Sequence, residues 1–133
     1  MPSNTYTVTG TVTGASYGFT LNNQTGYYVS NNTSQSNSAA VARLNLDFES
    51  DCLVTIEYIN YAEATYDYGI FGNIDTALAT TSSSDSNAYL VCSTSAYNVS
   101  TPQTVTYTVS SGTHFIDIKY RKDKATDSNN DNL

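Results

Sequence analysis

Apolar and polar residues alternate with a period of two along most of this chain, the signature of half-buried β-strands. The run Tyr6-Thr-Val-Thr-Gly-Thr-Val12 opens the pattern, and Tyr17-Gly-Phe-Thr-Leu21 follows after a turn at Gly14-Ala-Ser. Asn22-Asn-Gln-Thr-Gly26 reads as a hairpin-like turn before Tyr27-Tyr-Val-Ser30, and residues 31–38 form a polar loop. The strongest alternation comes next. Val41, Leu44, Leu46 and Phe48 punctuate one strand, Glu49-Ser-Asp51 turns the chain, and Cys52, Val54, Ile56 and Tyr58 share one face of the next. A stretch from Asn60 to Asp75, rich in Tyr and acids, contains a short strand around Tyr68-Gly-Ile-Phe71. After the low-complexity loop Ser82–Asn87, three further strands are expected at Ala88–Cys92, Thr104–Val109 and His114–Tyr120.

Eight or nine short strands separated by Gly, Asn and Ser turns predict an all-β fold, an antiparallel two-sheet β-sandwich of jelly-roll-like or immunoglobulin type. Pro2 and Pro102 lie outside the strand runs, as sheet hydrogen bonding requires. The 133 residues suffice for one domain, 1–133, with a real core, and for no second one. From Asp123 the chain is almost wholly polar until Leu133, which reads as the first residue of another strand; the expectation is a piece of a longer protein.

Composition narrows the function. Charged residues are only 13% of the chain, so Ser, Thr and Asn carry its solubility. A net charge of −7 with five basic residues excludes a phosphate-binding surface, and therefore nucleic acid as a partner. Acidity also disfavours anionic lipid, and no run approaches the roughly 20 apolar residues of a membrane helix. Lys119, Arg121, Lys122 and Lys124 are expected at a solvated strand end. Met1 is followed by no hydrophobic run, so no signal peptide is present in the sequence as it stands. Cys52 and Cys92 lie in apolar strand contexts without metal spacing; they read as buried thiols, with a single disulfide as the alternative.

Candidate chemistry is sparse. The one histidine, His114, alternates within a strand and suggests no triad. Glu57, Glu63, Asp67 and Asp75 fall in one strand–loop–strand region, where Glu63 and Asp67 are the closest to an acid pair, but spacing alone does not set the separation glycoside hydrolysis needs. Asp123, Asp127, Asn129 and Asp131 alternate like calcium ligands yet lack the closing glutamate, and no metal or cofactor is expected. Sequons at Asn23, Asn31, Asn32 and Asn98 are chance matches in so Asn-rich a chain. Tyrosine offers the better-founded binding surface. Tyr61, Tyr66 and Tyr68, with Tyr27 and Tyr28, present flat rings with a hydroxyl, suited to a sugar face or a protein interface, and Glu63 and Asp67 accompany them as candidate ligand-binding residues. The absence of Trp tells against a dedicated sugar platform.

Three stretches carry a family resemblance: Ile59-Asn-Tyr-Ala-Glu-Ala-Thr-Tyr-Asp-Tyr-Gly-Ile-Phe-Gly-Asn-Ile-Asp75, then His114-Phe-Ile-Asp-Ile-Lys-Tyr-Arg-Lys-Asp123, then the Ser/Asn/Asp-rich turn to Leu133. Over residues 14–133 the chain resembles a β-sandwich domain that recurs in structural and tail-associated proteins of phages of gut bacteria, and in surface proteins of those bacteria. The resemblance implies a role in a particle or surface assembly, and it supplies no catalytic residues. Glu63, Asp67, Asp75, Arg121 and Asp123 belong to the matching segments and are expected to form a fold-stabilising polar network.

The leading expectation is a non-enzymatic virion domain, in a tail fibre, baseplate or head decoration, that attaches to host-surface glycan or joins subunits. Its partners are then other virion or surface proteins, or a second copy of itself. The alternative is a carbohydrate-binding module of a secreted bacterial enzyme or adhesin. A glycan-cleaving enzyme is the third reading.

Overall fold

The computed structural model describes residues 3–33, 35–60, 67–83, 85, 87–92 and 101–122. Among these residues every regular element is a strand: β1 (Asn4–Thr9), β2 (Phe19–Leu21), β3 (Tyr28–Ser30), β4 (Ala39–Phe48), β5 (Cys52–Tyr58), β6 (Tyr68–Gly72), β7 (Ala88–Cys92), β8 (Gln103–Val109) and β9 (Gly112–Arg121). A five-stranded sheet in the order β1-β4-β9-β6-β7 packs against the pair β5-β8, while β2-β3 form a small hairpin of their own. All ladders are antiparallel. The chain is thus a two-sheet β-sandwich, as its alternation predicts.

The pairing is nested: β4 with β9, β5 with β8, β6 with β7. A long antiparallel ribbon has been folded over itself, which is how a jelly roll is built. The ribbon passes from the large sheet to the small one at the turn Glu49–Asp51 and returns at Ser110–Ser111. The two crossings are tied by the Ser111 N–H, which donates to the Asp51 carboxylate at 2.8 Å.

Alternation assigns the faces. On β4 and β9, Leu46, Phe48 and Ile116 point inward and meet Val105, Tyr107 and Val109 of β8, together with Phe71 and Cys92. Tyr107 fixes the lateral position of the small sheet: its hydroxyl donates to the Gly72 carbonyl at 2.8 Å, and its ring stacks on Tyr89 of β7 at 4.3 Å. The β5-β8 pair is therefore shifted toward the β6-β7 side.

The opposite, outer face of the large sheet is covered by the β6–β7 connection. Here the sequence expectation of a solvated basic strand end is corrected: Lys119 and Lys122 are fully buried and Arg121 is half-buried. The odd-numbered residues of β9 all turn to this face, and the connection packs across them. Lys119 Nζ donates to the Ser83 carbonyl at 3.0 Å and to Asp85 at 2.7 Å, and Arg121 donates to the Ser82 carbonyl. Arg43 forms a two-point pair with buried Asp117, at 2.7 and 3.1 Å, and lies 4.0 Å from the centre of the Phe115 ring. Asp117 also accepts the Leu78 N–H at 3.0 Å, which pins the connection down.

β1 ends at Thr9, earlier than the alternation to Val12 predicts. Beyond it the Phe19 N–H donates to the Gly10 carbonyl at 2.7 Å, so the β2-β3 hairpin leaves the sheet here. That approach needs glycine. A Cβ on Gly18 would lie 2.0 Å from Thr11 Oγ1 and 2.2 Å from the Gly10 carbonyl oxygen.

Candidate binding groove

Of the residues singled out in the sequence, Tyr61, Glu63 and Tyr66 lie outside the described residues, as do the acids from Asp123 onward and Asn98. Tyr68 is half-buried on β6, with the Arg121 guanidinium 5.8 Å from its ring centre. Asp67 is completely buried. The remaining acids are dispersed. Glu57 stands on the exposed face of β5 and accepts a hydrogen bond from Tyr27, whereas Asp75 sits beside His114 at the far end of β9 from Arg121. Asp75 and Arg121 are thus not members of one polar network. Among the sequons, Asn32 is buried with its amide donating to Ser38 and to the Tyr120 carbonyl, so it presents no acceptor for glycosylation.

A wide opening lies where the sandwich is incomplete. The small sheet has two strands against five, and β5 pairs with β8 on one side only among the described residues. In an antiparallel pair, every second residue of an edge strand turns both its N–H and its C=O away from the partner, so β5 displays unpaired backbone groups along its free side. Opposite that free side lies β1. Its register with β4 places Tyr6 across from Leu46 and Val8 across from Leu44, all on the inner face. No described residue covers this part of the face: Tyr6 is 69% exposed although it points toward the interior of the sandwich. Cys52, Val54, Ile56 and Tyr58 of β5 are likewise only half-buried.

These side chains line a cleft of about 1140 Å³. Its floor is Leu44, Leu46 and Ile118; its walls are Tyr6 and Val8 on one side and Val54 and Ile56 on the other. The hairpin closes one end with Phe19, Tyr27, Tyr28 and Val29. The Tyr27–Glu57 hydrogen bond ties the hairpin to the end of β5. Alternation puts Val54 and Ile56 on one face of their strand, and it reports which face a residue occupies and not whether a neighbour covers it.

Charge on the described surface is one-sided. None of the four described cations, Arg43, Lys119, Arg121 and Lys122, is exposed, whereas Asp47, Glu49, Asp51, Glu57 and Asp75 are. The described surface therefore presents carboxylates alone as its fully exposed formal charges.

A second constellation was not anticipated. Ser110 Oγ lies 3.3 Å from His114 Nε2, and His114 Nδ1 lies 2.7 Å from the Asp75 carboxylate, the order of groups found in a serine hydrolase. The remaining contacts describe a clasp instead. Nε2 also lies 3.2 Å from the Ser111 carbonyl, an acceptor that calls for a proton on that nitrogen. The hydrogen bond to Asp75 raises the His114 pKa above its usual value, and the same bond holds the Asp75 carboxyl below its own. A protonated ring that donates from both nitrogens is a poor base for Ser110. Asp75 further accepts the Phe115 N–H at 3.0 Å, at a left-handed backbone position with φ 63°, so the group fastens the start of the β6–β7 connection to β9.

Both cysteines are free thiols. Burial pushes the Cys92 thiol up, which keeps it protonated and unreactive. Among the described residues no group of three or more His, Cys, Asp or Glu side chains is disposed to hold a metal ion.

Compared with protein-family models, with curated proteins and with solved structures, the chain matches none.

Proposed function

We propose that this domain is a non-enzymatic joining module of a phage particle or a related bacterial surface assembly, and that it works by holding another polypeptide in the β1/β5 groove. The observation that carries this reading is the apolar groove beside an unpaired sheet edge. Small-molecule sites occupy roughly 300–1,000 Å³ and present a few convergent polar groups. The groove is at least that large, and its lining is mostly aliphatic and aromatic. An exposed strand edge next to apolar surface is the combination that proteins ordinarily protect unless a partner uses it. The dispersal of Glu57, Asp67 and Asp75, and the clasp geometry at His114, support a role without chemistry.

One observation favours a second reading, attachment to glycan. Tyr27 and Tyr28 are exposed at the closed end of the groove, with Glu57 hydrogen-bonded to the first, and such rings with an acid beside them suit a sugar face. The two readings separate in a glycan-array and whole-cell binding assay on the wild type and on Tyr27→Ala and Tyr28→Ala. The joining reading expects no specific glycan signal. A signal that disappears in both variants would replace it with adhesion.

A further inference from the structure

We propose that the groove accepts a single β-strand donated by another chain, which pairs with the free side of β5 and extends the small sheet from two strands to three; the inference rests on the joining reading above. Three features of the groove converge on a strand. It runs along the seven residues of β5, whose free side offers main-chain donors and acceptors at the spacing of a ladder. Its two walls carry apolar residues at alternate positions, Tyr6 and Val8 on β1 and Val54 and Ile56 on β5, so an incoming strand buries every second side chain between the sheets. Its outer rim carries Glu57 on a described surface whose fully exposed charges are all carboxylates, which favours a donor with Lys or Arg on its outward side.

A second copy placing its own β5 there does not fit. Because β1 of each copy underlies the position beside its own β5, pairing the two β5 strands drives the two five-stranded sheets into one another. Nor does this chain's segment 123–133 suit the groove, for its one large apolar residue is Leu133. The donor that the alternation and the acidic rim fit is an extended segment of another polypeptide, with aliphatic residues at three or four alternate positions and a basic residue between them.

The test uses the whole chain and labelled seven-residue peptides. One alternates Ile with Thr and Lys; a second has the same composition with its Ile residues contiguous; two more are N-methylated on alternate amides, one set at the positions that face β5 and one at those that face away. Fluorescence polarisation reads binding, and amide hydrogen exchange reads protection of β5. Strand donation predicts that the alternating peptide binds at least about tenfold more tightly than the contiguous one. It also predicts that only the β5-facing methyl set abolishes binding, that β5 amides become protected, and that Tyr6→Lys weakens binding without lowering the melting temperature. Equal binding of all four peptides overturns the proposal, as does protection of β5 in the free protein that vanishes when residues 123–133 are deleted. Absence of peptide binding together with self-association in sedimentation that Tyr6→Lys abolishes overturns strand donation while the joining reading stands. Absence of both, with a Tyr27-dependent glycan signal, overturns the two together.

Discussion

The two faces of the five-stranded sheet are finished in opposite ways. On the outer face a connection of low apolar content is held down by polar contacts: the Leu78 N–H to Asp117, itself paired with Arg43, Lys119 with Asp85, and Arg121 with the Ser82 carbonyl. On the inner face, apolar side chains line an open cleft, and among the described residues β5 keeps a free edge. Removing charges from water is costly unless every one is paired, so the outer arrangement tolerates few changes. Apolar residues left beside an open edge do little for the free domain. The contrast separates the face that serves the fold from the one kept for something else: the described cations are drawn inside to seal one face, while the other is left apolar and open with Glu57 at its rim.

Substitutions sharpen this contrast. Asp117→Ala strands the Arg43 guanidinium and the Leu78 N–H at once, and unfolding in urea should show a loss of about 3–5 kcal/mol. A smaller effect would mean that the connection is held by packing instead. Gly18→Ala forces the hairpin away from the Gly10 carbonyl at the closed end of the groove, with an expected loss of about 1–3 kcal/mol by the same measurement.

The His114–Asp75 clasp predicts a pH dependence. His114 is raised in the folded state, so its contribution is fully present below the unfolded value of 6.5 and is lost as pH rises through the folded value. Asp75 is lowered, so its contribution is present above the unfolded value of 3.8 and is lost as pH falls through the folded one. Protection of the amides that follow Asp75, measured by hydrogen exchange, should therefore be greatest between about pH 4 and 6.5. The dependence should disappear in His114→Gln. Smallest of all is Tyr6→Lys, which should change the stability of the free domain by less than about 0.5 kcal/mol, because the ring it removes is already in water. A large loss there would show that the groove is a core and not a site.

Much of the architecture was legible in the chain. Eight or nine strands are expected from alternation and turn residues, and nine are observed, because a period of two is a local property of adjacent residues and survives any packing. The all-β class followed for the same reason. Cys92 in its apolar strand context likewise reads as a buried thiol, and it is one. The tyrosine-rich loop and its acids, by contrast, were chosen for residue type alone, and Tyr61, Glu63 and Tyr66 fall outside the described residues while Asp67 is buried.

Local pattern alone sets the strands, their faces and the scarcity of cations. The fold had to form before β9 turned its lysines under a loop, Ser110, His114 and Asp75 met across 39 residues of chain, and β5 was left, among the described residues, without a neighbour opposite β1. The reason is physical. Side-chain direction along a strand is fixed by the backbone within two residues, whereas burial, ion pairing and an unfilled sheet position depend on which distant segment lies alongside, and no local pattern carries that information.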